Sequence, residues 1–550
     1  MLGSPFFSAT AQTVYVPASH WVYEFVDRME TKGLLPIVLD GTKPMTRIEL
    51  AEHIAELDKY VEHLSRTEQQ QLEYLKLEFL EEMQRLDVEP SNVKTRWEQL
   101  AERSWLDHWL PDVIYPSGRH LLEWKSGPLN LYLDPIIRRS RLYAQADTLE
   151  TQERVFKDTN GLHLWGTLGA FGFVTDVRDT RDWGSRAYPS GNTTWPGFGF
   201  AQGNGRHVYH DETVAYLVYH WNYLNLQFGK DSNRWGPTAG GQLFLSDAAT
   251  SYDQLKLQVA LRRLKFTYVL AWLKQYNPDY HLGNAVTKMM ATHRLEVAPW
   301  RFLDVGIHSA VIYAGRQFEP AYANPVMFFR SAEHYLGDRD NALMGLDVEF
   351  KAIPNTKLYG ELFLDDMTTG RLGDGFYGNK YGYTTGVYHV DLLGVPNLDA
   401  RLEYTRIRPY TYSHKNDTTR YQHFSTVMGH WIGPNSDYVL GRLNYRLSKR
   451  TRFEVQVEQW RHGANPPGLN LGGDPDVPHE NPRDPQTVDF LAGVLEKTRA
   501  ISLAASYEAL RDLYLDVELK WYDGDSEWPQ YGGVSPGTRS QVKLALRWNY

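Results

Sequence analysis

A chain of 550 residues with mean hydropathy −0.49 and no run of 18 apolar residues excludes a helical membrane protein. A net charge of −9 without a basic stripe argues against nucleic acid as a partner, and zero cysteine removes disulfides and thiolate metal sites. Aromatics at 13%, rich in Tyr (35) and Trp (17), leave a large barrel girdled by aromatic rings open.

Residues 1–11 read as the tail of a signal peptide. Ala9-Thr-Ala11 has the small-x-small form of a cleavage site, which would make Gln12 the first mature residue of a secreted chain. Within 12–58, the apolar spacing of His20 to Met29 predicts a helix that ends at Gly33, with Pro36 beyond. Thr46-Arg-Ile-Glu49 is a capping box opening a second helix over 48–54. Through Val16-Pro17, His20-Trp21, Lys32-Gly33-Leu34 and Thr46-Arg47-Ile48-Glu49, this stretch resembles an S-layer-homology module. The resemblance implies a grip on peptidoglycan or another wall polymer through residues 13–58. A structural helical plug is the alternative.

Residues 59–112 are expected to be helical, acidic and periplasmic if a barrel follows. Ser65-Arg-Thr-Glu68 is a second capping box, and Leu72, Leu75, Phe79, Leu80 and Met83 at spacings of three and four predict one amphipathic helix of about six turns. A further short helix is expected over 93–103.

From 113 to 550 a barrel is expected, and from about Gly127 the texture has a period of two. Leu224, Leu226 and Phe228 alternate with Asn225 and Gln227. Leu513, Leu515, Val517, Leu519 and Trp521 alternate with Tyr514, Asp516, Glu518 and Lys520. Carboxylates on the second face cannot pack into a dry sandwich core but can line an aqueous lumen. Soluble antiparallel sheets also alternate, so it is the persistence of the pattern that favours a barrel. At about 24 residues per strand and connection, roughly 16 to 18 strands fit. Val542, Leu544, Leu546, Trp548 and Tyr550 form the apolar face of a closing strand, or of an edge strand in a soluble sandwich. Tight connections at 353–356, 447–450 and 509–512 contrast with long ones at 177–211, 365–381, 408–421 and 461–486. Keeping the long ones on one side requires 487–508 to be a single strand.

Four blocks break the alternation. They are Asp231 with Arg234-Trp235-Gly236-Pro237 and Ser246-Asp247; His293-Arg294; Glu319-Pro320 with Asn324-Pro325; and His430 with Asn435. Each joins Gly or Pro turns to residues able to cross-brace a lumen through charge-assisted hydrogen bonds. In this order, the blocks resemble the Wzi capsule-assembly family of outer-membrane proteins over roughly 127–550. The resemblance implies a mainly β fold: a large transmembrane antiparallel β-barrel of about 18 strands with an N-terminal periplasmic α-helical domain. It implies a lectin-like anchor for capsular or extracellular polysaccharide, seated among outer-membrane lipid.

Sugars are held by aromatic faces and by planar carboxylates and amides. Trp183, Tyr188, Trp195 and Phe198 in the 177–211 loop, with Tyr410, Tyr412 and Trp431, are therefore candidate polysaccharide contacts. The same rings could instead belong to the interface girdle or pack the loops. No nucleophile elbow, His-Glu-x-x-His, phosphate loop or calcium loop is present, so no enzyme, cofactor or metal is expected. Alternatives are a porin-like channel for small solutes tethered to the wall, or a scaffold subunit of a surface assembly.

Overall fold

The computed structural model describes residues 14–86, 119–146, 152–195, 199–275, 286–524 and 537–549. The proposed leader at 1–11 and the helix expected over 93–103 lie outside them.

Among the described residues, the N-terminal unit has four α-helices, α1 (Val22–Thr31), α2 (Arg47–Leu57), α3 (Arg66–Glu78) and α4 (Leu80–Arg85). Both capping boxes form: Thr46 and Ser65 accept the N–H of Glu49 and Glu68, whose carboxylates reach back to the cap backbones. The core gathers Val22, Phe25, Val26, Met29, Leu50, Ile54, Leu72, Leu75 and Met83. The six-turn helix expected from Arg66 onward is in fact two, broken at Phe79 (φ −105°, ψ 23°). Apolar spacing ran on through the break, but tertiary contacts decide it. The Phe79 ring is fully buried with the Arg47 guanidinium 4.7 Å from its centroid, and Arg47 pairs with Glu78 and Glu82 on either side.

Eighteen long strands close into one antiparallel barrel. They are β1 (Leu129–Ala146), β2 (Glu153–Leu168), β3 (Phe171–Gly184), β4 (His207–Trp221), β5 (Leu224–Asp231) and β6 (Tyr252–Leu261). Next come β7 (Leu264–Gln275), β8 (Val286–Trp300), β9 (Leu303–Ala314), β10 (Asn341–Ile353), β11 (Thr356–Asp366) and β12 (Lys380–His389). The last six are β13 (Leu398–Ile407), β14 (Ser436–Arg446), β15 (Thr451–Ala464), β16 (Val494–Leu510), β17 (Leu513–Gly524) and β18 (Gly537–Trp548). The seam is β18 against β1, Trp548 opposite Ile137, and the short strand Leu122–Ser126 extends it below. Closure leaves no strand edge, as a lipid environment demands.

The tight turns at 353–356, 447–450 and 509–512 all lie at one end, the long loops at the other. The expectation that 487–508 is not a hairpin holds: β16 is a single 17-residue strand paired on both sides. On β17, Leu515, Val517 and Trp521 are exposed on the outer wall while Asp516, Glu518 and Lys520 find partners inside. A continuous apolar outer wall with a polar interior is the signature of a membrane-spanning barrel.

One long loop does not cap the barrel. Residues 315–340, with the short helices α5 (Pro320–Ala323) and α6 (Phe329–Tyr335), fold back against the outer wall over Tyr268, Leu270, Met289, Ala291, Val311 and Tyr313. Arg316 bonds Glu319 (2.9 Å) and Asp340, and Tyr322 donates to Asp340 at 2.7 Å. Glu319, Pro320, Asn324 and Pro325, expected to brace the lumen, therefore sit outside it. His293 joins them, stacked on Phe329 and bonded to Ser309. The reason is strand parity: His293 and Arg294 are neighbours on β8 and so face opposite sides.

Candidate functional site

The lumen is filled from both ends. From the loop end, residues 232–251 dive inward, seated on two strand carboxylates. Glu403 on β13 accepts the N–H groups of Ala239 and Gly240 (2.7 Å each) and the Tyr359 hydroxyl (2.6 Å). Glu361 on β11 accepts the Leu243 N–H at 2.9 Å and the Thr238 hydroxyl at 3.2 Å. Gly236 has φ +117°, and any Cβ there would strike the Glu361 carboxylate, so glycine is required. Trp235 is fully buried and stacks parallel to Phe244. Ser246 donates to the Gly429 carbonyl at 2.6 Å, tying this loop to 408–435. Asp231 ends β5 and accepts from Gln227 (2.8 Å), while Arg234 stands 3.9 Å from exposed Asp247. The Pro237 carbonyl faces Arg401.

From the tight-turn end, the helical unit enters the same lumen. Thr42–Lys43 pairs as a short antiparallel strand with Arg234–Trp235, so the two plugs meet edge to edge. Arg294, fully buried, fixes this junction by bonding Thr42 (2.9 Å) and Asp347 (3.0 Å). Around it runs a ring of ion pairs between acidic helices and basic wall: Lys357 with Asp27 (2.5 Å), Lys351 with Glu30 (2.5 Å), Arg401 with Asp27 (2.8 Å), Arg511 with Glu78 (2.6 Å) and Lys265 with Glu49 (3.0 Å). Arg28, fully buried, joins Glu68 of its own unit to Asp391 and Asp399 of the barrel. Glu30, Asp304 and Glu349 converge closely enough to suggest a cation site, but Lys351 and Lys357 already supply the charge there.

Two histidines make the plug acid-sensitive. Burial, opposed by Glu78 and aided by Arg47 and Arg511, pushes His20 down to about 4. Burial and then Lys265 push His53 to about 4. Both stay neutral in the folded unit, whereas unfolded imidazoles take up protons below about pH 6.5. Their contribution is complete above pH 6.5 and falls as pH drops toward about 4, by on the order of a few kcal/mol together. Thermal melting of the helical signal should therefore shift down between pH 7.5 and 4.5; a flat profile would mean that these imidazoles are solvated in the native state.

The expected aromatic contacts are placed differently from one another. Tyr410 and Tyr412 are fully buried, their hydroxyls donating to the carbonyls of Asn470 (2.8 Å) and Leu243 (2.9 Å), so neither ring has a face free for a sugar. Tyr188 is buried against Ala201 and Val208. Trp183 lies on the outer wall, edge-on to Phe156, its indole N–H on Asp158 at 2.9 Å. Trp431 is half-buried and donates to the Gly240 carbonyl. Trp195 ends the strand Ser190–Trp195 of a protruding hairpin, and Phe198 lies outside the described residues. His430 is buried beside Trp431, and its backbone N–H donates to the Tyr412 hydroxyl at 3.2 Å. Asn435 clamps three loops, donating to the carbonyls of Gly463 (2.7 Å) and Ala492 (2.9 Å) and accepting from Leu491 (2.7 Å).

A family model described as "Capsule assembly protein Wzi" matches residues 196–527. The chain belongs to the Wzi capsule-assembly family. Among solved structures, this Wzi-family chain is similar to Wzi of Escherichia coli, with 14% identity, 98% of this chain and 100% of that one covered, and a TM-score of 0.55. That protein is described as an outer-membrane protein involved in group 1 capsule assembly and as a carbohydrate-binding β-barrel. OprD of Pseudomonas aeruginosa matches at 11% identity over 76% of this chain and 92% of its own, with a TM-score of 0.41. No curated protein matches. Family membership, with the closed apolar-walled barrel, puts the chain in a bacterial outer membrane.

Proposed function

We propose that this Wzi-family barrel binds capsular or extracellular polysaccharide and anchors it at the cell surface, without enzymatic activity. The loop end then faces outward, and the helical unit, residues 12–86 and its continuation, faces the periplasm. The carrying observation is the family match over 196–527, which spans the inward loop 232–251, the outer-wall loop 315–340 and the loop crown, the long loops 365–381, 408–435 and 461–486 at the far end from the tight turns. The plugged lumen supports an anchor over a channel, because the two plugs pair directly across it. The loop end offers what sugar hydroxyls need, exposed amides at Asn192 and Gln202 of the 190–204 hairpin and an exposed carboxylate at Asp476, and the sequence adds Trp195 and Phe198 as candidate ring contacts. Where carboxylates cluster at the plug, lysines and arginines occupy them, which supports the non-enzymatic reading. Asp27, Glu30 and Glu49 of residues 13–58 pair with Lys357, Lys351 and Lys265 of the wall, which supports a structural plug over a wall grip.

The test is retention in the native host. A strain lacking the protein should shed surface polysaccharide into the medium while making normal amounts. A variant with the 186–206 hairpin shortened should behave the same way when membrane levels are unchanged. Normal retention in the deletion strain would remove the anchoring role.

A further inference from the structure

Between the helical plug and the wall lies a chamber of about 640 Å³, continuous with a side pocket of about 220 Å³ through Arg138, Arg452, Ser506 and Arg547. Ala18–Ser19 and the 448–452 turn line it at the tight-turn end, and Pro237–Ala239 of the inward loop line it at the other. The volume falls in the range of about 300–1,000 Å³ usual for pockets that hold small ligands.

Its charge runs against that of the molecule. Twelve Lys and Arg line it against seven Asp and Glu, in a chain whose net charge is −9. Most of these cations have partners. Arg547 holds Asp516 at 2.7 Å, Arg178 holds Asp176 at 2.7 Å, and Arg452 shares Glu24 with Arg446. Arg138 does not. It stands opposite Arg547 in the β18–β1 register, makes no ion pair within 4 Å among the described residues, feels only the Asp516 carboxylate that Arg547 already holds, and its Nε–H is buried without an acceptor. A guanidinium held beside two others without a carboxylate of its own is costly unless an anion completes it. Arginine presents a fork suited to a carboxylate or phosphate, and the chamber also shows ring surface at Trp21 and Tyr514.

We propose that this chamber binds an acidic saccharide, its carboxylates on Arg138, Arg452 and Arg547 and its ring faces against Trp21 and Tyr514. The anion-binding part stands on the chamber alone; the saccharide part rests on the polysaccharide reading above. A site reaching the tight-turn end is separate from the loop crown, so it would take the glycan from the periplasmic side.

Calorimetry on the detergent-solubilised full chain tests this with three probes: tetragalacturonate, neutral maltotetraose and inorganic phosphate. Tetragalacturonate should bind saturably and weaken at least tenfold between low salt and about 0.5 M salt. Maltotetraose should not bind, and phosphate should bind far more weakly. Arg138→Gln should weaken tetragalacturonate tenfold or more, while Lys59→Gln, exposed on the helical unit and outside the chamber lining, should leave it unchanged. Because the three-probe comparison uses the unaltered protein, it stands even if Arg138→Gln folds poorly. Equal binding of maltotetraose overturns the role of charge. Phosphate as tight as tetragalacturonate overturns the saccharide class, and no binding of any anion overturns the chamber. Surface retention that persists while tetragalacturonate fails would remove this inference and leave the anchor standing.

Discussion

Replacing Arg28 with methionine is expected to weaken the docking of the helical plug by on the order of 3–5 kcal/mol and to open the barrel. Arg28 is fully buried where α1 meets the wall, and three carboxylates depend on it: Glu68 at 2.9 Å, with Asp391 and Asp399 in direct contact. Asp399 keeps Arg446 (2.5 Å) and the Tyr388 hydroxyl (3.0 Å), and Asp391 keeps Lys32 (3.2 Å), but Glu68 and Asp391 would then share a single lysine. Methionine fills similar volume, so the loss would come from charge and hydrogen bonds and not from a cavity. In a planar bilayer the natural protein should show no steady conductance and Arg28→Met should show frequent openings, with trypsin releasing the N-terminal unit. Arg28→Lys should fall between, since an ammonium cannot serve all three acceptors in a fork. Steady conductance from the natural protein would show that the plug does not seal the lumen, reviving the channel reading.

Glu403→Ala is expected to unseat the inward loop, at a cost on the order of 3–5 kcal/mol. Its carboxylate is almost wholly buried and accepts two consecutive backbone N–H groups and a tyrosine hydroxyl. Removal would leave the Ala239 and Gly240 donors facing an apolar gap, and the Gly240 carbonyl would lose its fixed place under the Trp431 indole. Limited proteolysis within 236–246 and a fall in the melting temperature are the readouts. Glu403→Gln keeps the shape and half the accepting capacity, and should lose roughly half as much. If Ala and Gln behave alike and near the natural protein, the loop is held by Trp235 and Phe244 packing instead.

Strand identity was legible because each barrel strand carries the period of two within itself. The placement of loops was legible too, since the tight turns at 353–356, 447–450 and 509–512 fix which end is which and require one strand, not a hairpin, within 487–508; it is Val494–Leu510, and 487–493 belong to the loop before it. Both capping boxes formed as read, because an N-cap hydroxyl and a glutamate three residues on act locally. What the sequence hides is non-local. The break at Phe79 follows from Arg47 reaching across it, and no apolar spacing records that. His293 looked like a lumen brace because motif reading ignores parity, and one residue separates the inner face from the outer; the Glu319–Pro325 block lies in a loop whose fold back onto the outer wall no local pattern records. Tyr410 and Tyr412 looked like sugar platforms because loop aromatics are read as exposed, yet here they anchor carbonyls of other segments. The basic chamber left the faintest trace: its arginines lie on strands from Arg138 to Arg547, each unremarkable alone, and only closure of the barrel brings them together.

The measurement that bears most directly on the whole account is equilibrium binding of the purified full chain to polysaccharide extracted from the surface of its own host. Saturable binding, diminished when the 186–206 hairpin is shortened, is the predicted result. No binding at high polysaccharide concentration would contradict the anchoring function and leave the Wzi-family match as a statement about fold alone.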